Sequence, residues 1–248
     1  MIFDRIIGYA SVESTMDIAR EKALRGDAAG TVIMADFQTK GRGRQGRGWF
    51  APTGANVCLT AVGGPIAAAA TWRIALLAGV AAAEAVHTVT GIAARVRFPN
   101  DVYVDGAKLG GILVETVPHP TPGFVTPLIG IGVNINVPED VFPEELRGRA
   151  TSTLCLTGRE YGVGAVSGFI LRRLGELWDA AGPAAFEATV LTRWRALADP
   201  RSRRTFCLEG VDTLCRVIDV AGEGTVTLEA GDGARRQVHA AQVILGDD

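Results

Sequence analysis

Between Pro65 and Val89 the chain is almost continuously apolar and rich in alanine, and only Arg73, Glu84 and His87 bring ionisable groups into it. A helix that is hydrophobic on every side has to be covered by the rest of the fold or by lipid. The three ionisable groups, and alanine rather than leucine as the main apolar residue, predict a buried helix over about 66–89 and not a membrane span. The rest of the chain can cover such a helix. Of its 248 residues 48% are hydrophobic and 21% charged, enough core for one large domain, or for one domain and a small second one.

Around this helix the pattern alternates between strand and helix. Strands are predicted at 5–12, 31–37, 56–62 and 127–137, and a helix from Ser14 to about Arg25, with Ser14 as its cap and Asp17 three residues on. The run VYV-DG-AKLGGILVE reads as a hairpin turning at Asp105-Gly106. Further helices are expected at 163–180 and 184–197, the second with Phe186, Leu191, Trp194 and Leu197 on its apolar side. After Asp199-Pro200 the texture changes to short β-type runs at 205–208, 212–219, 224–229 and 235–245. The expected fold class is α+β: a mixed or antiparallel sheet with helices over 1–198, then a small all-β domain over 199–248.

Several stretches carry possible chemistry. GRGRQGRGWF (41–50) puts arginine forks on a glycine backbone ahead of an indole. Such a loop suits a nucleotide, with phosphates on Arg and amides and a base on Trp49, or it is a flexible surface segment. In RFPND (97–101), Asp101 either holds a hard cation together with substrate phosphates or serves a turn. Lys108 is either a solvated strand start or an ammonium for a ligand carboxylate, with Gly110-Gly111 leaving room for that ligand. In GIGVNIN (130–136), Asn134 either contacts a nucleotide or ends a strand. Ser14 and Thr15 touch a ligand or only cap a helix. His87 reads as structural. The sequence has no Walker A loop, no dinucleotide fingerprint and no nucleophilic triad with supporting context.

Four cysteines without a CxxC pair argue against a zinc site and suit thiols in a cytoplasmic protein. The N-terminal stretch has no continuous apolar segment of the secretory kind. The net charge of -2 makes the Arg cluster a local feature rather than a nucleic-acid-binding surface.

Taken in order, ESTMDIA, FQTKGRGRQGRGWFAPTGANVCLT, RFPNDVYVDGAKLGGILVE and GIGVNIN, followed by a small β domain, resemble the biotin protein ligases. The resemblance spans about residues 8–137. It implies a class II synthetase-like biotin/lipoate ligase fold with a C-terminal SH3-like β-barrel. It implies that biotin and ATP give biotinyl-5'-AMP with Mg²⁺, and that a lysine of a biotin carboxyl carrier protein then takes the biotinyl group. By resemblance, Ser14, Thr15, Met16 and Gln38 contact the biotin head group, and Gly41, Arg42, Gly43 and Arg44 fold over biotin and its adenylate. Arg44, Arg47, Trp49 and Asn134 serve ATP, with Trp49 stacked on adenine. Lys108 meets the biotin carboxylate and then the α-phosphate, Gly111 touches biotin through its backbone, and Asp101 positions Mg²⁺. On this reading the loop is disordered until it closes over the adenylate.

The sequence departs from the family at Met16, where Asn is common, at Arg97-Phe98, where Lys-Trp is common, and at Gly110, where Ala is frequent. The chain starts at the ligase region, so a monofunctional ligase without operator binding is expected, as a monomer or a homodimer paired through a sheet edge. The rivals are a lipoate ligase, which shares fold and chemistry, a non-catalytic biotin- or nucleotide-binding homologue, and a nucleic-acid binder using the Arg loop.

Overall fold

The computed structural model describes residues 1–26, 28–199 and 202–245. Eight strands form one sheet: β1 (Arg5–Val12), β2 (Thr31–Gln38), β3 (Asn56–Val62), β4 (Ile66–Ala67), β5 (Arg95–Arg97), β6 (Asp101–Val104), β7 (Ala107–Pro118) and β8 (Phe124–Asn134). Their order is β1-β2-β3-β8-β7-β6-β5, with β4 pairing the start of β8. Only β1 and β2 run parallel. Helix α1 (Thr15–Leu24) is the crossover between them.

Both faces of this sheet are covered, so its central strands do not alternate between apolar and polar. Val57, Leu59 and Ala61 of β3 and Ile129, Ile131 and Val133 of β8 point into the main core. There they meet α2 (Thr71–Thr90), which the next long helix, α4 (Val163–Trp178), backs in turn. On the opposite face, Met16 and Ala19 of α1 close a smaller core over Ile33, Val62 and Leu128. Beyond α1, that second face is left to the site.

Helix α2 is the apolar helix expected from the sequence, but it starts later. Ile66–Ala67 pairs antiparallel with the start of β8 as a short strand and Ala68–Ala70 forms a 3₁₀ turn, so the α-helix begins at Thr71. It ends at Gly91, whose φ of 77° only glycine adopts readily. The segment is long and apolar enough to cross a membrane, but most of it is buried inside the protein.

The helix at 184–197 is built from α5 (Pro183–Ala185), a π-helical stretch (Phe186–Leu191) and α6 (Thr192–Leu197). Phe186, Val190, Leu191 and Trp194 are its buried residues. A short helix, α3 (Thr153–Thr157), was not anticipated, whereas strand β5 ends just before Pro99, where a strand was expected to stop.

The C-terminal unit is a four-stranded antiparallel sheet in the order β9 (Arg203–Leu208), β10 (Val211–Val220), β11 (Thr225–Ala230), β12 (Arg235–His239). Among the described residues no β12–β9 ladder closes it into a barrel; Leu245 instead bridges to Phe206 on the outer edge of β9. The expected break at Asp199-Pro200 adjoins Pro200 and Arg201, which lie outside the described residues, as do 246–248.

Candidate active site

The sheet register lays out the site. On the face not used by the main core, Thr60, Gly130 and Leu113 form one cross-strand row. Cys58, Gly132, Gly111 and Asp101 form the next, and Asn56 with Asn134 a third. Successive rows are two residues, about 7 Å, apart. Together with α1 and the Gly/Arg loop they enclose a cavity of about 950 Å³.

Glycines make the floor because other groups lie where a Cβ would be. A Cβ on Gly132 would come within 2.5 Å of the Trp49 indole, and one on Gly111 within 3.3 Å of Lys108 Nζ. The Met16 methyl packs over Gly130, so the departure at position 16 supplies an apolar contact where a polar one was expected. Gly110 faces the other way, towards Val133 and the Gly132 carbonyl, and is not part of the cavity. Gly132→Ala should therefore expel the indole from its seat. If Trp49 seats a nucleotide base, as the sequence suggests, the expected outcome is at least tenfold weaker ATP binding with a melting temperature near wild type; an unchanged ATP affinity would show that the Trp49 seat is irrelevant.

A β-bulge places the key lysine. Side chains alternate along a strand, so Lys108 and Gly111, three apart, would point to opposite faces. The β6–β7 register shifts between Val102 and Tyr103, pairing Tyr103 with Lys108 but Asp101 with Gly111. The extra residue, Leu109, brings Lys108 round to the cavity face beside Asp101. The Lys108 backbone is gripped from the far side, its N–H donating to the Arg149 carbonyl at 2.8 Å and its carbonyl accepting from Thr151 N–H at 2.9 Å.

One end of the cavity is polar and neutral. Gln38 Oε1 accepts from the Thr15 N–H (2.8 Å) and hydroxyl (3.1 Å), and the Thr15 hydroxyl lies 2.8 Å from that of Thr60. Ser14 caps α1, its hydroxyl accepting from the Met16 N–H at 3.3 Å. The rest is cationic: among the described residues, eight Arg or Lys side chains line the cavity against a single carboxylate, Asp101. Asp101 receives Lys108 Nζ on one oxygen at 2.6 Å and an Arg204 nitrogen on the other at 2.8 Å. Burial pushes its carboxyl up, but Lys108 and Arg204 outweigh that and hold it below the usual carboxylate range. Burial and the nearby Arg204 lower the Arg44 guanidinium, against Asp101, which raises it.

The Gly/Arg loop folds back on itself. Trp49 N–H bonds to the Gly41 carbonyl and Gly43 N–H to that of Arg47, making a small hairpin whose tip turns through Gln45 and Gly46 at φ 57° and 73°. Side chains tether it on three sides. Arg42 forks onto Asp17 at 2.5 and 2.8 Å, Arg44 donates to Asn100 at 3.3 Å, and Gln45 donates to the Leu245 carbonyl at 2.6 Å. These bonds hold the loop as a hairpin at the mouth of the cavity. Arg42 thus faces α1 with its charge already matched by Asp17, while Arg47 lines the cavity from an exposed position.

Asn134 lines the cavity but is also part of its frame: it accepts from Asn56 (3.1 Å) and donates to the Thr151 carbonyl (3.0 Å). Phe98 is buried edge-to-face against Trp194, so position 98 belongs to the core of this chain and not to the cavity, and Arg97 stacks on Tyr103 at 4.6 Å. Burial raises the Cys58 thiol to about 11, against contacts with Trp49 and Gln38 that lower it, and all four cysteines are free. His87 is an exposed helix-end residue away from the site.

Thr60, Cys58, Arg149, Arg203 and Arg204 were not singled out from the sequence, yet all line the cavity. Thr60 and Cys58 needed only the correct face of the predicted strand 56–62. The arginines carried no local signal.

The model of the Biotin/lipoate A/B protein ligase family matches residues 8–136. The chain belongs to this family. It is 30% identical over 244 residues to the bifunctional ligase/repressor BirA of Bacillus subtilis, covering 97% of this chain and 74% of that protein. It is also 30% identical over 239 residues to the biotin–[acetyl-CoA-carboxylase] ligase of Mycobacterium tuberculosis, covering 92% and 84%. Among solved structures, the biotin protein ligase of Aquifex aeolicus in complex with biotin and ATP superposes with a TM-score of 0.80 at 23% identity, over 99% of this chain and 100% of that one. That last likeness is one of fold.

Proposed function

We infer that the protein is a cytoplasmic biotin–[biotin carboxyl-carrier protein] ligase, using ATP to form biotinyl-5'-AMP and passing biotin to a carrier lysine. The observation that carries this reading is the layout of the cavity. It runs from a neutral polar end at Thr15, Gln38 and Thr60, over a glycine floor, to a cationic end at Lys108 and Arg44. Biotin has the same order of parts: a ureido ring that donates and accepts, an apolar chain, and a carboxylate.

In the first step a biotin carboxylate oxygen attacks the α-phosphorus of ATP. The bond from that phosphorus to the bridging oxygen breaks, and pyrophosphate leaves with the electron pair. Two anions must meet, and Lys108 and Arg44 offset their repulsion while the floor fixes their approach. Arg47 holds the phosphates, and Trp49 and Asn134 flank the nucleotide. In the second step the carrier amine attacks the carbonyl of the mixed anhydride, AMP leaves, and the amine loses a proton. No enzyme nucleophile is required. The Gly/Arg hairpin, pinned by Asp17, Asn100 and Leu245, keeps water from the anhydride. The C-terminal unit, residues 199–248, supplies one wall of the cavity through Arg203, Arg204 and Leu245.

The donor set bears on Mg²⁺. Among the described residues no three metal-ligating side chains cluster, and Asp101 is the cavity's one carboxylate. Both Asp101 oxygens are ion-paired, so Asp101 would be the protein ligand of a Mg²⁺ held mainly by substrate phosphates only once Lys108 has left its oxygen, and such an ion would shield the charge of the triphosphate.

The test is biotin-dependent pyrophosphate release from Mg²⁺-ATP, with lipoate and octanoate run alongside. Release with biotin alone is expected. Release with lipoate alone would move the protein to the lipoate branch of its family, and no release with any acid would make it a binding protein.

Arg44→Gly removes both a phosphate contact and the tether to Asn100. The adenylate should then dissociate at least tenfold faster and label bystander lysines. Unchanged dissociation of the adenylate in a rapid-dilution experiment would remove the hairpin's role as a lid. Purified protein should also give no sequence-specific, salt-sensitive DNA shift.

A further inference from the structure

Arg204 is the first interior residue of β9, in the C-terminal sheet, paired across to the buried Cys215. Its side chain leaves that sheet and enters the other one's site. It is only 10% exposed, and it donates to the Asp101 carboxylate at 2.8 Å and to the Phe98 carbonyl at 3.4 Å. Asp101 is 2% exposed and shares its charge between Arg204 and Lys108. Lys108 is 34% exposed and faces the cavity.

This arrangement poses a problem of charge. On the reading given above, Lys108 must leave Asp101 for the carboxylate of biotin. A buried carboxylate stripped of its counter-charge is costly, so with Lys108 as its sole partner Asp101 would retain the lysine. We propose that Arg204 is a positioning residue for adenylation: its fixed, buried guanidinium keeps Asp101 compensated, and this frees Lys108 to move to the substrate. The geometry suits the role. Arg204 takes the oxygen that Lys108 does not, and a guanidinium stays charged where an amine could lose its proton. The C-terminal sheet is thereby a working part of the site, since it acts on the reacting lysine through Asp101.

The proposal rests on Lys108 meeting the biotin carboxylate, and one experiment tests both. Calorimetry compares binding of biotin with binding of biotinol, the alcohol that lacks the carboxylate, to wild-type protein, Arg204→Met and Arg204→Lys. Wild type should prefer biotin. Arg204→Met should lose roughly tenfold of that preference while binding biotinol as wild type does, and Arg204→Lys should restore most of it. A merely structural role would weaken both ligands alike, and that outcome overturns the proposal. So does a Met variant with the full preference of wild type. A wild-type protein without preference overturns the Lys108 reading itself, and the proposal with it, before any variant is considered. If Arg204→Met does not fold, Arg204→Gln keeps donors for Asp101 and the Phe98 carbonyl without the charge, and gives the same comparison.

Discussion

Lys108→Ala should lower biotin-dependent pyrophosphate release by roughly 10²–10³-fold, the range for removing one charge-stabilising donor from a reacting centre. The fold should survive. The Lys108 backbone bonds to Arg149 and Thr151 do not involve its side chain, and Asp101 keeps its buried partner Arg204. The melting temperature is therefore expected within a few degrees of wild type, since the lost ion pair is one-third exposed on the lysine side. Transfer from pre-formed biotinyl-5'-AMP separates the steps. The anhydride no longer needs its carboxylate activated, so this second step should fall much less than the first. Pyrophosphate release at the wild-type rate, from protein with intact melting, would take Lys108 out of the chemistry.

How much of this was legible beforehand depends on how local each signal is. The Asp105-Gly106 hairpin was readable because a two-residue turn with positive φ at both positions, here 48° and 85°, selects those residue types. Strand 56–62 and the cap at Ser14 were likewise local. The start of α2 was not, because Ile66-Ala67 is drawn into the sheet by β8, nearly sixty residues on. The bulge at Leu109 left no mark in the sequence, and without it Lys108 and Gly111 cannot share a face.

The site shows the same division. The Gly/Arg loop, Lys108, Gly111 and Asp101 were found by motif and by resemblance, and the structure gathers them around one cavity. What the motifs could not give is how these residues are already engaged. Asp17 occupies Arg42, Asn56 and Thr151 frame Asn134, and Thr60 joins Thr15 and Gln38. Arg204 lies 103 residues from Asp101 in a different sheet, and no periodicity or spacing reports such a pair. Local rules reveal turns, caps and strands, whereas charge partners are set by tertiary packing.

Asp101→Asn should be the most damaging single change, and for a different reason than Lys108→Ala. Removing the carboxylate leaves Arg204 buried with a neutral neighbour and the Phe98 carbonyl at 3.4 Å, close to Arg44, which already feels its repulsion. Breaking a buried pair from one side costs about 3–5 kcal/mol. In a chain of this size that lowers the melting temperature by on the order of 10 °C. Lys108, closer to solvent, is less affected. Activity should also collapse, because on the proposed reading the triphosphate loses the one carboxylate that would hold its Mg²⁺. Adding Arg204→Met to Asp101→Asn separates the two effects. With no uncompensated cation left in the interior, the double variant should regain most of the lost stability and none of the activity. A double variant no more stable than Asp101→Asn would mean that the Asp101–Arg204 contact does not carry the cost assigned to it, and Arg204 would then be an ordinary wall residue.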